Sequence, residues 1–222
     1  MYWYYMSNAC LLSTPCAKAC MQTLRGRRTQ RKKLHYGAMI THPTRSAFNF
    51  QRWIDENQEH LKPPVSNKQL FDTKTDMIVM IVGGPNLRVD FHDDPAEEFF
   101  YQLKGDMILK IAEEGKIYDV PIREGDVFLL PPHVRHSPQR PVQGSVGLVV
   151  EGARGPSDKD GFEWYCFKCG EKVHRVEITV KDIVKDLPPL FDAFYSSVEQ
   201  RTCKNCETIH PGKKPPDGWV NI

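Results

Sequence analysis

The sequence predicts an all-β fold, an antiparallel sandwich or barrel, on three observations. Short β-rich runs occur at 77–82, 98–103, 107–112, 116–122, 126–131 and 146–151, close enough together to be neighbours in one sheet system. Turn-forming clusters separate them, and no helical period intervenes. At 222 residues, 40% of them hydrophobic, the chain can bury one substantial core.

Taken in order, residues 1–45 form a basic extension outside the patterned region. The first 54 residues hold nine Lys and Arg and no acid, and Met1–Leu12 is aromatic and apolar without a preceding basic segment or a small-residue cleavage site. A disordered tail is expected, with an organelle-targeting peptide or a gene-model artefact as other readings. Asn49–Leu61 places Phe50, Trp53, Ile54 and Leu61 near helical spacing, and Lys62-Pro63-Pro64 stops that helix. The six runs follow, punctuated by Gly83-Gly84-Pro85-Asn86, Asp93-Asp94-Pro95, Gly105-Asp106, Glu114-Gly115 and Glu124-Gly125-Asp126. A polar link is expected over 152–161. A small module follows, with a strand at Val173–Val180 and a short helix at Leu190–Val198 after Pro188-Pro189. The division expected is 1–45, extension; 46–155, barrel; and 156–222, cysteine-bearing module.

Charge narrows the function classes. The residues after the first 54 carry 21 basic and 28 acidic side chains, a net −7. An acidic body argues against nucleic acid as partner, because phosphate contact needs a surplus of cations. No run of 18 apolar residues exists, so no helix is expected to span a membrane.

Ligand-type side chains concentrate in two segments. His92 and Glu98 sit six apart across a turn, between one strand's end and the next strand's start, so both can face a barrel lumen. Glu97 and Glu98 are adjacent, so at most one faces inward, and parity with His92 selects Glu98. His136, from another strand, completes two imidazoles and one carboxylate. That set leaves open positions opposite it and suits a non-haem Fe(II) that holds an organic chelate and O₂. Any one histidine in a β protein is more often a hydrogen-bonded surface or core residue than a ligand. Only the set points to a metal.

The two segments resemble the paired motifs of the cupin superfamily, whose jelly-roll-like β-barrel holds a metal between a histidine, a glutamate six residues later and a second-motif histidine. Two positions depart from the general pattern: Asp94 stands where many cupins place another histidine, and Arg140 where many have asparagine. Together with HDDPAEEFFYQLKG, EGDVFLLPPHVRHSPQRP, DGFEWYCFKCG and DLPPLFDAFY, those departures are similar to the 3-hydroxyanthranilate 3,4-dioxygenase family in its microbial form, which carries a rubredoxin-like site. The resemblance covers about 46–212. It implies a ring-cleaving enzyme that converts 3-hydroxyanthranilate and O₂ to 2-amino-3-carboxymuconate semialdehyde, which closes to quinolinate on the route from tryptophan, the kynurenine pathway, to NAD. It further implies that His92, Glu98 and His136 hold catalytic Fe(II), that Glu98, Arg140 and Glu151 contact substrate, and that Arg88 lies by O₂. Arg88 and Glu151 are the catalytic pair so implied, and a homodimer is implied as well. An inward arginine would otherwise be hard to explain, since a buried guanidinium without an anion is costly.

Cys166/Cys169 and Cys203/Cys206 form two CxxC pairs, the pattern of a tetrahedral thiolate site in a reducing compartment, so a cytoplasmic location is expected. Spacing leaves iron or zinc open. Such a closed site has no vacancy for substrate and is assigned to folding or assembly. A nucleic-acid-binding zinc ribbon is the competing reading, and the intervening Glu171, Glu177, Asp182, Asp186, Asp192 and Glu199 deny it a basic face. Cys10, Cys16 and Cys20 match no metal pattern. For the whole chain, the alternatives are another small-acid cupin dioxygenase or a ligand-sensing cupin, and two arginines beside an open triad favour turnover.

Overall fold

The computed structural model describes residues 47–63, 66–72, 75–181 and 183–220; the extension of residues 1–45, with Cys10, Cys16 and Cys20, lies outside them. Helix α1 (Phe50–Glu56) starts where the side chain of Asn49 accepts a hydrogen bond from Arg52 N–H at 2.8 Å. The single helix expected to Leu61 is instead two. Asn57 ends α1 by donating its side-chain amide to Trp53 O, and a 3₁₀ turn follows at Gln58–Leu61. Ile54, Leu61 and Ile81 are buried together, which fixes this cap to the outside of one sheet.

Eleven strands form two antiparallel sheets among the described residues. In chain order they are β1 (Asn67–Gln69), β2 (Met77–Gly83), β3 (Asp90–Asp93), β4 (Glu98–Lys104), β5 (Met107–Glu113), β6 (Lys116–Ile122), β7 (Val127–Leu130), β8 (Arg135–Gln139), β9 (Val146–Gly152), β10 (Asp160–Tyr165) and β11 (Lys172–Ile178). One sheet runs β1-β2-β9-β4-β7 and the other β11-β10-β3-β8-β5-β6. All six runs read from alternation are strands within a residue or two. The β5–β6 hairpin turns on Glu114 (φ 49°) and Gly115 (φ 73°), the two left-handed positions that a two-residue loop requires.

The two sheets face each other across a core of Phe100, Met107, Leu109, Ile111, Ile122, Leu130 and Val149. Strand parity then sends Glu98 and Phe100 on β4, and Val149 and Glu151 on β9, to one interior, through the cross-strand partners Glu98–Glu151 and Phe100–Val149. Strand β10 pairs with β3 on one side and β11 on the other, so the six-stranded sheet is continuous across residue 155. The link expected over 152–161 is shorter at both ends: Gly152 closes β9, and Asp160 is already in strand and buried.

Helix α2 (Ile183–Ser196) starts before Pro188-Pro189, not after them as expected. Its Leu187, Leu190, Phe191 and Tyr195 pack with the buried Phe162, Trp164 and Phe194. Burying that stripe outweighs the hydrogen bonds the prolines remove. A one-turn helix α3 (Val198–Arg201), capped by Ser197, leads to the second cysteine pair.

Candidate metal centres and the cavity between the sheets

Strands β3 and β8 place His92 and His136 as direct cross-strand partners, with ring centroids 5.3 Å apart. Glu98 reaches them from the opposite sheet, its Oε1 lying 2.8 Å from His136 Nε2 and 3.4 Å from His92 Nδ1. His136 Nδ1 lies 2.9 Å from Val134 O, so that nitrogen carries the proton and donates it. In the neutral ring, Nε2 then aims a lone pair at the carboxylate oxygen. That oxygen is fully buried and has no aligned hydrogen-bond donor. Two acceptors converging in a buried space are the donor set a cation satisfies, and a dication with imidazole and carboxylate ligands fits.

The remaining charges tell the same story. Burial disfavours the His92 imidazolium, but Asp160 and Glu98 hold its pKa up, to about 10. Against the cost of burial, His136 and His92 hold Glu98 well below the usual carboxylate range. The cluster thus favours positive charge at its centre. Asp160 Oδ1 is 2.8 Å from His92 Nε2, an outer carboxylate that fixes which ring nitrogen turns inward. Phe162 stacks on the His92 ring at 5.1 Å and holds its plane.

Arg154 joins these carboxylates. Its Nη2 donates to Asp94 Oδ2 at 2.6 Å and Asp160 Oδ1 at 2.8 Å, and its Nη1 lies 3.0 Å from Glu151 Oε1. That last contact is an ion pair by distance, without hydrogen-bond alignment. Burial pushes Glu151 up to about 8, against the pull of Arg154.

One cavity of about 810 Å³ is lined by Arg88, His92, Glu98, His136, Arg140 and Glu151, so all six barrel residues singled out from the sequence meet in it. The size suits a small organic ligand. Arg140 is buried, and its Nε has no partner. Burial lowers its pKa to about 10, with Glu98 opposing the shift and Arg88 adding to it. Gly147 on β9 makes room for this guanidinium, since a Cβ there would come within 2.6 Å of Arg140 Nη2. The Arg88 guanidinium pairs with both carboxylate oxygens of Asp90.

Sequence reading missed Asp160 and Arg154, which fell in the stretch taken for a link. The aromatic run Phe162, Trp164, Tyr165 after Asp160 is a strand signal that could have recovered the first; Arg154 had none. Val180 and Leu187 also line the cavity, so the region after the barrel closes part of its wall.

The second cluster is built from two copies of one turn. Cys166 N donates to Glu171 O and Gly170 N to Cys166 O; Cys203 N donates to Thr208 O and Glu207 N to Cys203 O. Each loop ends on a left-handed residue, Gly170 (φ 76°) or Glu207 (φ 58°). Cys166 and Cys206 sulfurs are 3.6 Å apart, as are those of Cys169 and Cys203, and all four lie within 4.8 Å of one another. A metal about 2.3 Å from each sulfur would set them ~3.8 Å apart in a tetrahedron, so the four fit one ion.

The class defined by this architecture is a double-sheet β-barrel whose interior carries a carboxylate-histidine cluster able to hold a metal. Residues 43–195 match the profile of the family described as 3-hydroxyanthranilic acid dioxygenase. A protein of Shewanella woodyi named 3-hydroxyanthranilate 3,4-dioxygenase is 65% identical over 177 residues, 80% of this chain and 93% of that protein. One of the same name from Ruegeria pomeroyi is 62% identical over 80% of this chain and 98% of its own length. The chain belongs to the 3-hydroxyanthranilic acid dioxygenase family. Among solved structures, a cupin-2 domain protein from Shewanella frigidimarina is similar over 49% of this chain and 95% of its own, at 14% identity and a TM-score of 0.37. The fold is read from the strand order instead.

Proposed function

We propose that this chain opens the ring of 3-hydroxyanthranilate with O₂ to give 2-amino-3-carboxymuconate semialdehyde, the precursor of quinolinate in the formation of NAD from tryptophan. The observation that carries this reading is the convergence of His92, Glu98 and His136 with a buried Arg140 and a half-buried Arg88 in one cavity of a chain from this family. His92, Glu98 and His136 would hold Fe(II), which supplies chelation of the substrate's amine and phenolate and activation of O₂. The residues of the chain do the rest. Arg140, buried without an anion of its own, receives the substrate carboxylate. Arg88 aims fixed donors at the charge that develops on oxygen. Glu98 and Glu151 border the bound ring, and Glu151 passes a proton. The wall from α2 and Phe162 keeps water from that space.

Cys166, Cys169, Cys203 and Cys206 hold a second ion, iron or zinc, that serves folding. Four thiols kept for a metal suit the cytoplasm. No helix among the described residues is long and apolar enough to cross a membrane. A homodimer is part of the same reading. Phe99, Val127 and Leu129 stand exposed on the outer face of the five-stranded sheet, apolar surface that a second copy would cover. Oxygen uptake by the Fe(II)-loaded protein decides the activity: one O₂ should be consumed per 3-hydroxyanthranilate, with the semialdehyde absorbance appearing. Turnover of catechol with none of the aminophenol acid would sink it.

A further inference from the structure

The backbone at Arg88 is not held by a sheet ladder. Asn86 bridges Arg140, and six residues later His92 pairs with His136, so residues 87–91 face only residues 137–139. The segment is therefore a bulge of two extra residues, the kind of irregularity that re-aims a side chain beside a site. A bulge leaves its peptide groups without ladder partners, and burying them unpaired is costly.

Two side chains take the place of the missing rungs. Gln139, fully buried, acts as a surrogate peptide. Arg88 N donates to its Oε1 at 3.1 Å, and its Nε2 donates to Arg88 O at 3.0 Å. The Nε2 donor also reaches Ser137 Oγ at 2.8 Å, which fixes the amide's orientation. From the far end of the chain, Trp219 Nε1 donates to the same Arg88 carbonyl at 2.9 Å. The indole is seated from several directions: Phe167 meets it edge-on at 4.8 Å, Phe91 at 6.3 Å, and Lys110 Nζ stands 4.3 Å over its ring. A one-residue slip would turn Arg88 out of the cavity and a two-residue slip would slide it along the wall, and these bonds oppose both movements.

We propose that Gln139 and Trp219 are positioning residues for Arg88, fixing its peptide so that the guanidinium stands at the oxygen side of the cavity. This rests on the reading of Arg88 as the group that serves the oxygen step. Neither side chain touches substrate or metal in this scheme. The C-terminal segment therefore takes part in the chemistry by holding a carbonyl.

The test uses the full chain loaded with iron. Trp219→Phe keeps an aromatic ring and removes one N–H, so it spares the fold where Gln139→Met could fail. It should lower kcat/KM for O₂ about 3- to 10-fold, the worth of one well-made hydrogen bond. The anaerobic Kd for 3-hydroxyanthranilate should change less than about twofold, and iron content should stay the same. In an Arg88→Met background, Trp219→Phe should have no further effect on the oxygen parameter, because its route of action is gone. A folded Trp219→Phe protein with unchanged kcat/KM for O₂, or an equal loss added on top of Arg88→Met, would overturn the proposal while leaving Arg88 in its role. No oxygen effect in Arg88→Met alone would overturn that role and the proposal with it.

Discussion

The four-cysteine cluster is written twice in the chain as the same six-residue turn, whereas the barrel cluster is written in pieces on three strands that meet only after folding. Cys166–Cys169 and Cys203–Cys206 bring their own backbone bonds with them, Gly170 N to Cys166 O and Glu207 N to Cys203 O. Among His92, Glu98 and His136, only His136 has a local partner, Val134 O two residues back. The rest of their support is distant in the chain: Asp160 for His92, the cross-strand pairing with His92 for His136, and the sheet pairing with β9 for Glu98. A local motif gathers its ligand atoms by its own turn geometry; a dispersed one needs the whole barrel.

The comparison breaks most sharply at the ligands. His136→Ala should empty the barrel centre and reduce turnover by more than about 100-fold, beyond what loss of an outer partner costs, while the cysteine metal stays. Cys203→Ser should do the converse and cost roughly 3 kcal/mol or more of stability, because ions in such sites contribute to folding directly. Metal analysis of the two folded variants separates the centres. Loss of both ions from either would mean that they form one unit.

A smaller effect is expected at Gly147. Gly147→Ala puts a Cβ 2.6 Å from Arg140 Nη2 and 2.7 Å from Gln102 Oε1, so the guanidinium must move. KM for 3-hydroxyanthranilate should rise about 10-fold or more with kcat much less affected, as steady-state kinetics would show. An unchanged KM would detach Arg140 from substrate binding.

Acid should strike the cysteine region through His210, which stacks on Phe167 at 4.7 Å. Burial, and then Arg201, hold its pKa down at about 4, against an ordinary 6.5. Between those values the unfolded chain takes up a proton that the folded chain refuses. Stability is therefore lost as pH falls through that window, at no more than about 1.4 kcal/mol per pH unit. His210→Asn keeps an acceptor for Gly212 N and should flatten this slope in denaturant titrations between pH 7 and 5. An unaltered slope would place the acid sensitivity elsewhere.

The smallest effect compares the two knuckles. Glu207 holds the left-handed conformation that Gly170 holds in the other, and a side chain there is strained. Glu207→Gly should stabilise by about 0.5–1 kcal/mol, read as a rise in Tm, less whatever the freer unfolded chain takes back. A loss of stability would show that the Glu207 side chain contributes contacts.

This contrast also explains what the sequence disclosed. The strands read correctly, such as Met107–Glu113 and Lys116–Ile122, alternate or bury apolar side chains. No run stands out at Asp90–Asp93 or Arg135–Gln139, although His92 and His136 are expected at a strand's end and on a strand, because the polar groups of the cavity hide the β pattern there; Asp160–Tyr165 keeps an aromatic strand signal but begins inside the expected link. Asn67–Gln69 was too short to register. Ligand-type residues could be picked out by kind and spacing, and the CxxC pairs outright, but the roles proposed for Arg88, Arg140 and Glu151 came only through family resemblance. Asp160 and Arg154 act through contacts 68 and 60 positions away, with His92 and Asp94, which no local pattern encodes.

Strand β10 begins at Asp160, beside His92, and Cys166 follows directly after its end. Six residues of strand span roughly 20 Å, so β10 is a rod joining the two centres. A fragment stopping at residue 155 would lose more than the cysteines. It would leave β3 as a bare sheet edge, open to pairing with other chains, and would take from His92 the carboxylate that orients it. Proteolysis between the two regions is thus expected to yield an aggregating barrel in place of a minimal enzyme.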